Sequence, residues 1–67
     1  MSTTVKESVV VGGYTITVIS KDDDVLGVIV EGARLPRPIY IAKGEKVRVN
    51  LPKSVKRYLK RMGFSVE

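Results

Sequence analysis

"VKESVVVGGYTITVIS", residues 5–20, is the stretch that decides the fold of this chain. It holds two runs rich in Val, Ile and Thr, which favour strands, and only Gly12 and Gly13 separate them. Tight two-residue hairpin turns need positive φ angles, which glycine adopts without steric cost. The stretch therefore predicts a β-hairpin that turns at these two glycines.

The predicted turn also sets the register of the hairpin. It produces three cross-strand pairs, which are Val11 with Tyr14, Val9 with Ile16, and Glu7 with Val18. Residues that stand directly opposite one another share a face of the sheet. We therefore expect the apolar members of these pairs to face the core, and Lys6, Ser8, Thr15 and Thr17 to face the other side.

Turn signals separate the next segments of the chain. Residues 21–24, "KDDD", predict a loop, because adjacent aspartates repel one another in a strand and favour turns. Residues 25–31, "VLGVIVE", predict a third strand, in which Gly27 indicates a bulge or bend that curls a short sheet. Residues 32–38, "GARLPRP", predict a stiff connection, because proline does not fit regular structure.

A second hairpin is predicted between "IYIA" and "EKVRVNL", around Lys43 and Gly44. In its second strand valines and charged residues alternate with a period of two, which is typical of a strand with one buried face. The outward side chains of this hairpin and of the preceding connection are the candidate binding residues: Arg34, Arg37, Tyr40, Lys43, Lys46 and Arg48.

The three aspartates allow a second interpretation, as ligands of a metal ion. Asp22 and Asp24 carry the hard oxygen atoms that calcium and magnesium prefer, but a calcium loop of the EF-hand type needs further ligands and a distal Glu. Those residues are missing at the required spacing. The sequence therefore favours a solvated turn and predicts no metal site.

The segment "NLPKSVKRYLKRMGF", residues 50–64, predicts a helix at about residues 52–62. Pro52 suits its first turn, and Gly63 suits its end, after which Phe64 is expected to fold back on Leu59. Val55, Tyr58, Leu59 and Met62 recur at the spacing of one apolar stripe. A second basic face occupies the opposite arc: Lys53, Lys56, Arg57, Lys60 and Arg61.

The sequence thus predicts one domain over residues 1–67, of the α+β class and mostly β. Five antiparallel strands at about residues 4–11, 14–21, 25–31, 38–42 and 45–51 would form a small SH3-like barrel or curled sheet, closed by the C-terminal helix. The expected core is Val9, Val11, Ile16, Val18, Val28, Val30, Ile39, Ile41, Val47, Val49, Val55, Leu59 and Met62.

Composition argues against catalysis. The chain has no Cys and no His, so a disulfide framework, a thiolate nucleophile and a Ser-His-Asp relay are excluded. A general base would have to come from Asp22, Asp23, Asp24 or Glu45, and nothing in the sequence places a nucleophile beside them. We therefore expect a protein that is not an enzyme and that uses no cofactor and no small-molecule substrate.

Charge is concentrated in one half of the chain. Residues 1–33 hold two Lys against five acids, a balance of −3, whereas residues 34–67 hold ten Lys and Arg against two acids, a balance of +8. Such asymmetry indicates an anionic partner. The alternative is solubility in a heat-adapted protein, because thermolabile residues are scarce and Asn50 is the only side-chain amide. No membrane span or signal peptide is evident, so a soluble, cytoplasmic protein is expected.

The layout of the chain resembles the small basic SH3-like chromatin proteins of thermophilic archaea. The resemblance rests on the Gly-Gly first hairpin, a glycine in the central strand, a basic last hairpin and a terminal helix. It implies that a triple-stranded sheet meets the minor groove of duplex DNA and kinks it with apolar wedges. Here it points to Tyr40, Lys46 and Arg48, with Val28 or Ile29 as wedges.

The segment "IYIAKGEKVRVNLPKSVKRYLKRMGF", residues 39–64, is also similar to the small β-rich domain of GINS replication subunits. That resemblance implies docking to a protein. Two functions are therefore kept open. The first is sequence-independent binding of duplex nucleic acid, in a chromatin or replication accessory role. The second is a protein-docking adaptor in a replication or transcription complex, without direct contact to nucleic acid.

Overall fold

The computed structural model describes residues 3–66 as a sheet, a short helix and a second, smaller sheet. The elements in chain order are β1 (Thr4–Val11), β2 (Tyr14–Lys21), β3 (Asp24–Gly32), β4 (Ile39–Ala42), β5 (Lys46–Val47), α1 (Lys53–Arg61) and β6 (Ser65–Val66). Strands β1 to β4 form one antiparallel sheet in that order, and β5 pairs with β6 in parallel.

The first hairpin and its register are confirmed. Gly12 and Gly13 have φ angles of 56° and 81°, the positive values that a type I′ turn requires. The three predicted pairs are present, including Val11 with Tyr14. The apolar face of β2 accordingly points into the core, where Ile16 has no exposed surface.

The second turn is shorter than the predicted four-residue loop. Only Asp22 and Asp23 lie outside strands, and their φ angles of 51° and 68° make another tight turn of the primed kind. Asp tolerates the left-handed region better than most residues, because its short polar side chain can bond to nearby backbone. Here an Asp22 carboxylate oxygen accepts a hydrogen bond from the Thr3 backbone N–H at 3.3 Å.

The predicted bulge is present, one residue before Gly27. Ile19 pairs with Gly27 and Ser20 pairs with Val25, so Leu26 is the extra residue in β3. Gly27 itself is not the extra residue of the bulge, and its lack of a side chain serves another purpose. A β-carbon placed there would stand 2.6 Å from the Tyr40 hydroxyl, so the glycine makes room for the Tyr40 side chain to lie across β3.

The second hairpin is not formed, and this prediction is wrong. Ala42 to Glu45 do make a turn, in which the Glu45 N–H donates to the Ala42 carbonyl at 3.0 Å and Gly44 has a φ of 94°. Gly44 is the only residue of this turn with a positive φ, which matches a type II turn. Turns of that type splay the flanking strands, because their twist opposes that of a hairpin. The chain therefore leaves β4, and β5 pairs with β6 instead.

Without a fifth strand the main sheet stays open, so the predicted SH3-like barrel is not formed. In the described part of the chain, β1 and β4 are the two edges of the sheet. The residues after Val47, predicted to continue a strand to residue 51, are irregular and lead to α1. The fold is thus a small, mostly β arrangement in which one helix covers one face of a four-stranded sheet.

The helix and its ending are confirmed to within a residue. Helix α1 runs from Lys53 to Arg61, with Pro52 in the capping position before its first residue. At its end Gly63 has a φ of 96° and donates to the Lys60 carbonyl, while the Phe64 N–H donates to the Leu59 carbonyl at 3.0 Å. These two bonds are the pair that defines a Schellman motif.

The core lies between α1 and the inner face of the sheet. Eight of the predicted core residues are buried, and Tyr14, Leu51 and Phe64 join them. Val11, Ile39, Val49 and Met62 are partly buried around this cluster. The prediction is wrong for Val9, which is 38% exposed. A nine-residue helix spans only about 13.5 Å, roughly half of an eight-residue strand, so α1 does not cover all of β1.

We predict that Gly12→Ala destabilises the protein more than Gly13→Ala. Both variants force a side chain into the left-handed region, at about 1–2 kcal/mol each. A β-carbon at Gly12 would in addition collide with the Ser54 hydroxyl of α1, whereas one at Gly13 meets nothing within 4 Å. Chemical denaturation should therefore give a free energy of unfolding about 1 kcal/mol lower for Gly12→Ala than for Gly13→Ala.

Adding Ser54→Ala to Gly12→Ala should recover most of that difference, because it removes the colliding oxygen while the two β-carbons stay at a normal contact distance. Equal losses for the two glycine variants, with no recovery, would mean that α1 does not rest on this turn.

We also predict that Gly27→Ala lowers the free energy of unfolding by about 1–3 kcal/mol. The new β-carbon would stand 2.7 Å from the Ile41 carbonyl oxygen, which belongs to the β3–β4 ladder and cannot move as a side chain can. The loss should persist when Tyr40→Ala removes the neighbouring ring. If the double variant with Gly27→Ala and Tyr40→Ala were as stable as Tyr40→Ala alone, the Tyr40 ring and not the Ile41 carbonyl would be the reason for glycine at this position.

Candidate nucleic-acid interface

The six candidate residues around the predicted second hairpin do not form one sheet face. Tyr40 lies in β4, on the outer face of the main sheet, and is 53% exposed. Lys46 lies in β5, which belongs to the smaller sheet, and Arg48 follows it in irregular structure. The shared face of Tyr40, Lys46 and Arg48 was predicted from a hairpin that is absent, so that part of the site prediction is wrong.

The outer face of the main sheet is also poor in positive charge. Its cross-strand rows are Thr4–Lys21–Asp24, Lys6–Ile19–Gly27–Ala42, Ser8–Thr17–Ile29–Tyr40 and Val10–Thr15–Glu31. These rows hold two lysines and two acidic residues, so the face is nearly neutral. Val28, one of the two expected wedges, is fully buried on the inner face, whereas Ile29 is partly exposed on the outer face beside Tyr40.

The connection between β3 and β4 presents its two arginines to different depressions. Arg37 lines one of about 470 Å³ together with Pro36, Pro38 and Glu31. Arg34 lines another of about 530 Å³, next to Tyr14 and the segment that enters α1. Arg37 shares its depression with a carboxylate, so this loop does not gather positive charge by itself.

The cations of α1, in contrast, converge. A depression of about 280 Å³ runs along the helix and is lined by four cationic side chains and one valine, namely Lys53, Lys56, Arg57, Lys60 and Val66. None of the acidic residues within residues 3–66 contributes to it, and none occurs in the sequence between Arg48 and Val66. This is the most concentrated positive surface in the described part of the chain. It contains four cations of the predicted second basic face, whereas the fifth, Arg61, lines a different depression beside Val11.

The helix itself adds to this potential at its N-terminal end. The first backbone hydrogen bond of α1 runs from the Lys56 N–H to the Pro52 carbonyl at 3.0 Å, and Pro52 provides no side-chain cap. The preceding N–H groups therefore have no partner within the helix. The first turn carries no acidic residue, although acids are favourable there. The helix dipole and the lysines thus act in the same direction.

Strand β6 completes this surface and was not predicted. Val66 in β6 lines the depression, and β6 holds β5 alongside it, with Lys46 opposite Ser65. The pairing brings a lysine of the predicted second hairpin onto the strand next to the helix depression. Sequence reasoning missed β6 because a two-residue strand after Gly63 has no periodicity to detect.

The remaining features of the described residues give no further candidate chemistry. Among residues 3–66, no three acidic side chains come together as ligands of a metal ion would. None of the helices in that range is long and apolar enough to cross a membrane. Asp22 and Asp23 serve the β2–β3 turn, as described above.

Comparison of the chain with family models, with curated proteins and with solved structures found no match. The resemblances to archaeal chromatin proteins and to GINS subunits therefore stay predictions. Any function has to be argued from the geometry of the chain itself.

Proposed function

We propose that this protein is a nucleic-acid-binding protein that binds duplex DNA of any sequence. The binding surface is the cationic face of α1, formed by Lys53, Lys56, Arg57 and Lys60. The observation that carries the proposal is the depression lined by Lys53, Lys56, Arg57 and Lys60, to which no carboxylate of residues 3–66 contributes. Clustered cations that share a surface attract polyanions, because each phosphate contact releases condensed counterions.

The spacing of the cations along α1 suits a phosphate backbone. Lys53 and Lys60 are seven residues apart, which is about 10.5 Å along a helix axis. Each nucleotide step of one DNA strand rises by only about 3.4 Å along the duplex axis, while the phosphates also wind around that axis. The lysines and the arginine between them therefore extend over a length at which more than one phosphate is within reach.

Three of the four cations of the face are lysines, and it carries no amide side chain. Adenine is read by Asn or Gln, but the chain has no Gln, and Asn50 lies outside the helix. Lysine carries a point charge on a flexible stem and binds phosphate without a fixed geometry. Binding of this kind is equally strong on most sequences, as expected for a chromatin or replication accessory protein.

We predict that Lys53→Gln with Lys60→Gln weakens DNA binding on all sequences about equally. Each variant removes one phosphate contact, so the slope of log K against log [salt] should become shallower by about two. Gln has nearly the helix propensity of Lys, and both lysines are exposed, so the fold should be retained. Fluorescence anisotropy with labelled duplexes over a salt series measures the slope.

Two further pairs serve as controls, since each also removes two positive charges. Lys43→Gln with Arg48→Gln tests the predicted second hairpin, and Lys6→Gln with Lys21→Gln tests the acidic half of the chain. Neither pair should change the slope by more than a fraction of a unit. Equal changes for all three pairs would mean that only net charge matters. No binding of the unmutated protein at low salt would refute the nucleic-acid proposal.

A protein-docking adaptor is the second candidate, and one observation favours it. Tyr40, on the outer face of the sheet, is 53% exposed and stands opposite the partly exposed Ile29, and the bulge residue Leu26 is 42% exposed. An aromatic side chain in a nearly neutral, apolar surrounding is typical of a protein interface. If DNA binding is absent, a bound protein whose retention depends on Tyr40 and Arg37 would support this function.

A further inference from the structure

Strand β1 leaves one long edge of the main sheet open. Its eight residues pair with β2 on one side, and no strand of residues 3–66 pairs with it on the other. All of its side chains are exposed or partly exposed, with Val10 at 72%, Val5 at 45% and Val9 at 38%. A long, apolar edge is a template for another strand, which is why single chains protect or shorten such edges.

The hairpin geometry shows which backbone groups of β1 remain available. In a two-residue hairpin the residues that flank the turn, here Val11 and Tyr14, form a hydrogen-bonded pair. Hydrogen-bonded and non-hydrogen-bonded pairs then alternate along the strand. The N–H and C=O groups of Lys6, Ser8 and Val10 therefore face away from β2, toward the open edge.

The inner face of β1 is covered by helix α1 at one end and is exposed at the other. Helix α1 lies over the end near the Gly12 turn, where Val11 shares a depression of about 300 Å³ with Tyr58, Arg57 and Arg61. Val5 lies at the opposite end, beyond the reach of the helix, and remains 45% exposed. An antiparallel neighbour would place the covered end of one strand beside the uncovered end of the other.

We propose that the open edge is closed by a second copy of this chain, with the two β1 strands antiparallel and Ser8 opposite Ser8. In this register odd-numbered residues of one β1 stand opposite odd-numbered residues of the other, and even-numbered residues opposite even-numbered ones. The inner faces of the two sheets therefore lie on the same side. It forms about six backbone hydrogen bonds from the outward groups of Lys6, Ser8 and Val10. The product is a continuous eight-stranded sheet with both helices on one side.

Charge selects this register over its neighbours. A shift by one residue toward the N-terminus centres the pair on Glu7 and sets the two Glu7 carboxylates directly opposite each other. A further shift centres the pair on Lys6 and sets its two ammonium groups opposite each other. A shift toward the C-terminus centres the pair on Val9 and loses about two of the hydrogen bonds. The Ser8 register has neither fault, since Ser8 and its outer-face neighbour Thr17 are uncharged and bond to each other at 3.0 Å.

The same register also covers the exposed end of the inner face of each β1. Val5 of the second copy stands opposite Val11, beside the depression that Tyr58 and Arg61 line. Glu7 of the second copy stands opposite Val9. Val11, two residues further along the same strand, lies beside Arg61, whose charge is opposite to that of Glu7. The two paired strands belong to the half of the chain with a balance of −3. Lys53, Lys56 and Lys60 remain on the other side of the helix.

Cysteine cross-linking tests the register, since the chain has no cysteine of its own. Ser8→Cys should form a disulfide-linked dimer under mild oxidation, because opposed Cα atoms in a hydrogen-bonded pair are about 5.5 Å apart, within disulfide range. Lys6→Cys is the matched control. Its two copies would be about 13 Å apart along the strands, and it should stay unlinked at the same protein concentration.

A charge pair at Val10 tests the interface without cross-linking. In the proposed register Val10 stands opposite Lys6 of the second copy, and its 72% exposure means that the monomer does not need it for packing. Val10→Lys should raise the dimer dissociation constant about tenfold, and Val10→Glu should leave it unchanged or lower it. Sedimentation equilibrium measures both constants, and thermal unfolding checks that the variants remain folded.

The unmutated protein should sediment with twice the mass of its 7.4 kDa chain and dissociate on dilution. A single mass of 7.4 kDa at every concentration would overturn the proposal. Faster cross-linking of Lys6→Cys than of Ser8→Cys, or equal constants for Val10→Lys and Val10→Glu, would overturn the register. The measurements need no DNA, so they succeed or fail independently of the proposed nucleic-acid function.

Discussion

The positive φ angles of Gly12 and Gly13 are the constraint on which the rest of the structure depends. A type I′ turn of two residues allows only one register between β1 and β2. That register sends Tyr14, Ile16 and Val18 to the inner face, and a second primed turn passes the same face to β3. Helix α1 then rests on the turn itself, since Ser54 lies against Gly12.

The size of the helix decides what the sheet leaves uncovered. Val55 and Leu59 are fully buried, whereas Tyr58 and Met62 of the same apolar stripe are partly buried. The sheet, however, is about twice as long as the helix. Val5 and Val9 of β1 therefore remain exposed although their parity assigns them to the core. This mismatch is the physical basis for placing a second copy along β1.

The two proposed surfaces lie on opposite flanks of one helix. Arg61 lies on the β1 side, beside Val11, while Lys53, Lys56 and Lys60 lie on the β6 side, with Arg57 between them. In a dimer with both helices on one side of the sheet, the two cationic faces would belong to one assembly. If both proposals hold, such an assembly would engage DNA at two places at once, which would raise the overall affinity without any new contact.

The sequence by itself determined the local features of this protein. The Gly-Gly turn, the first four strands, and the start and end of α1 follow from residues close together in the chain, because φ preferences, alternation and helix capping act over short distances. The exclusion of cysteine and histidine chemistry and the concentration of cations after residue 33 were likewise readable from composition. Among the candidate sites, the second basic face of α1 was predicted this way.

Only the tertiary structure decided which segments pair over longer distances. The alternation in "EKVRVNL" predicted a strand to residue 51, of which only Lys46–Val47 is formed. It also could not identify the neighbouring strand, because a parallel pair of two residues leaves no pattern in either segment. The turn at Gly44 directs the chain away from β4, so Lys46 joins the helix side and Tyr40 stays on the outer face. The length of α1 relative to β1, which exposes Val9, is likewise a property of the packed molecule, since burial depends on which element lies above a residue.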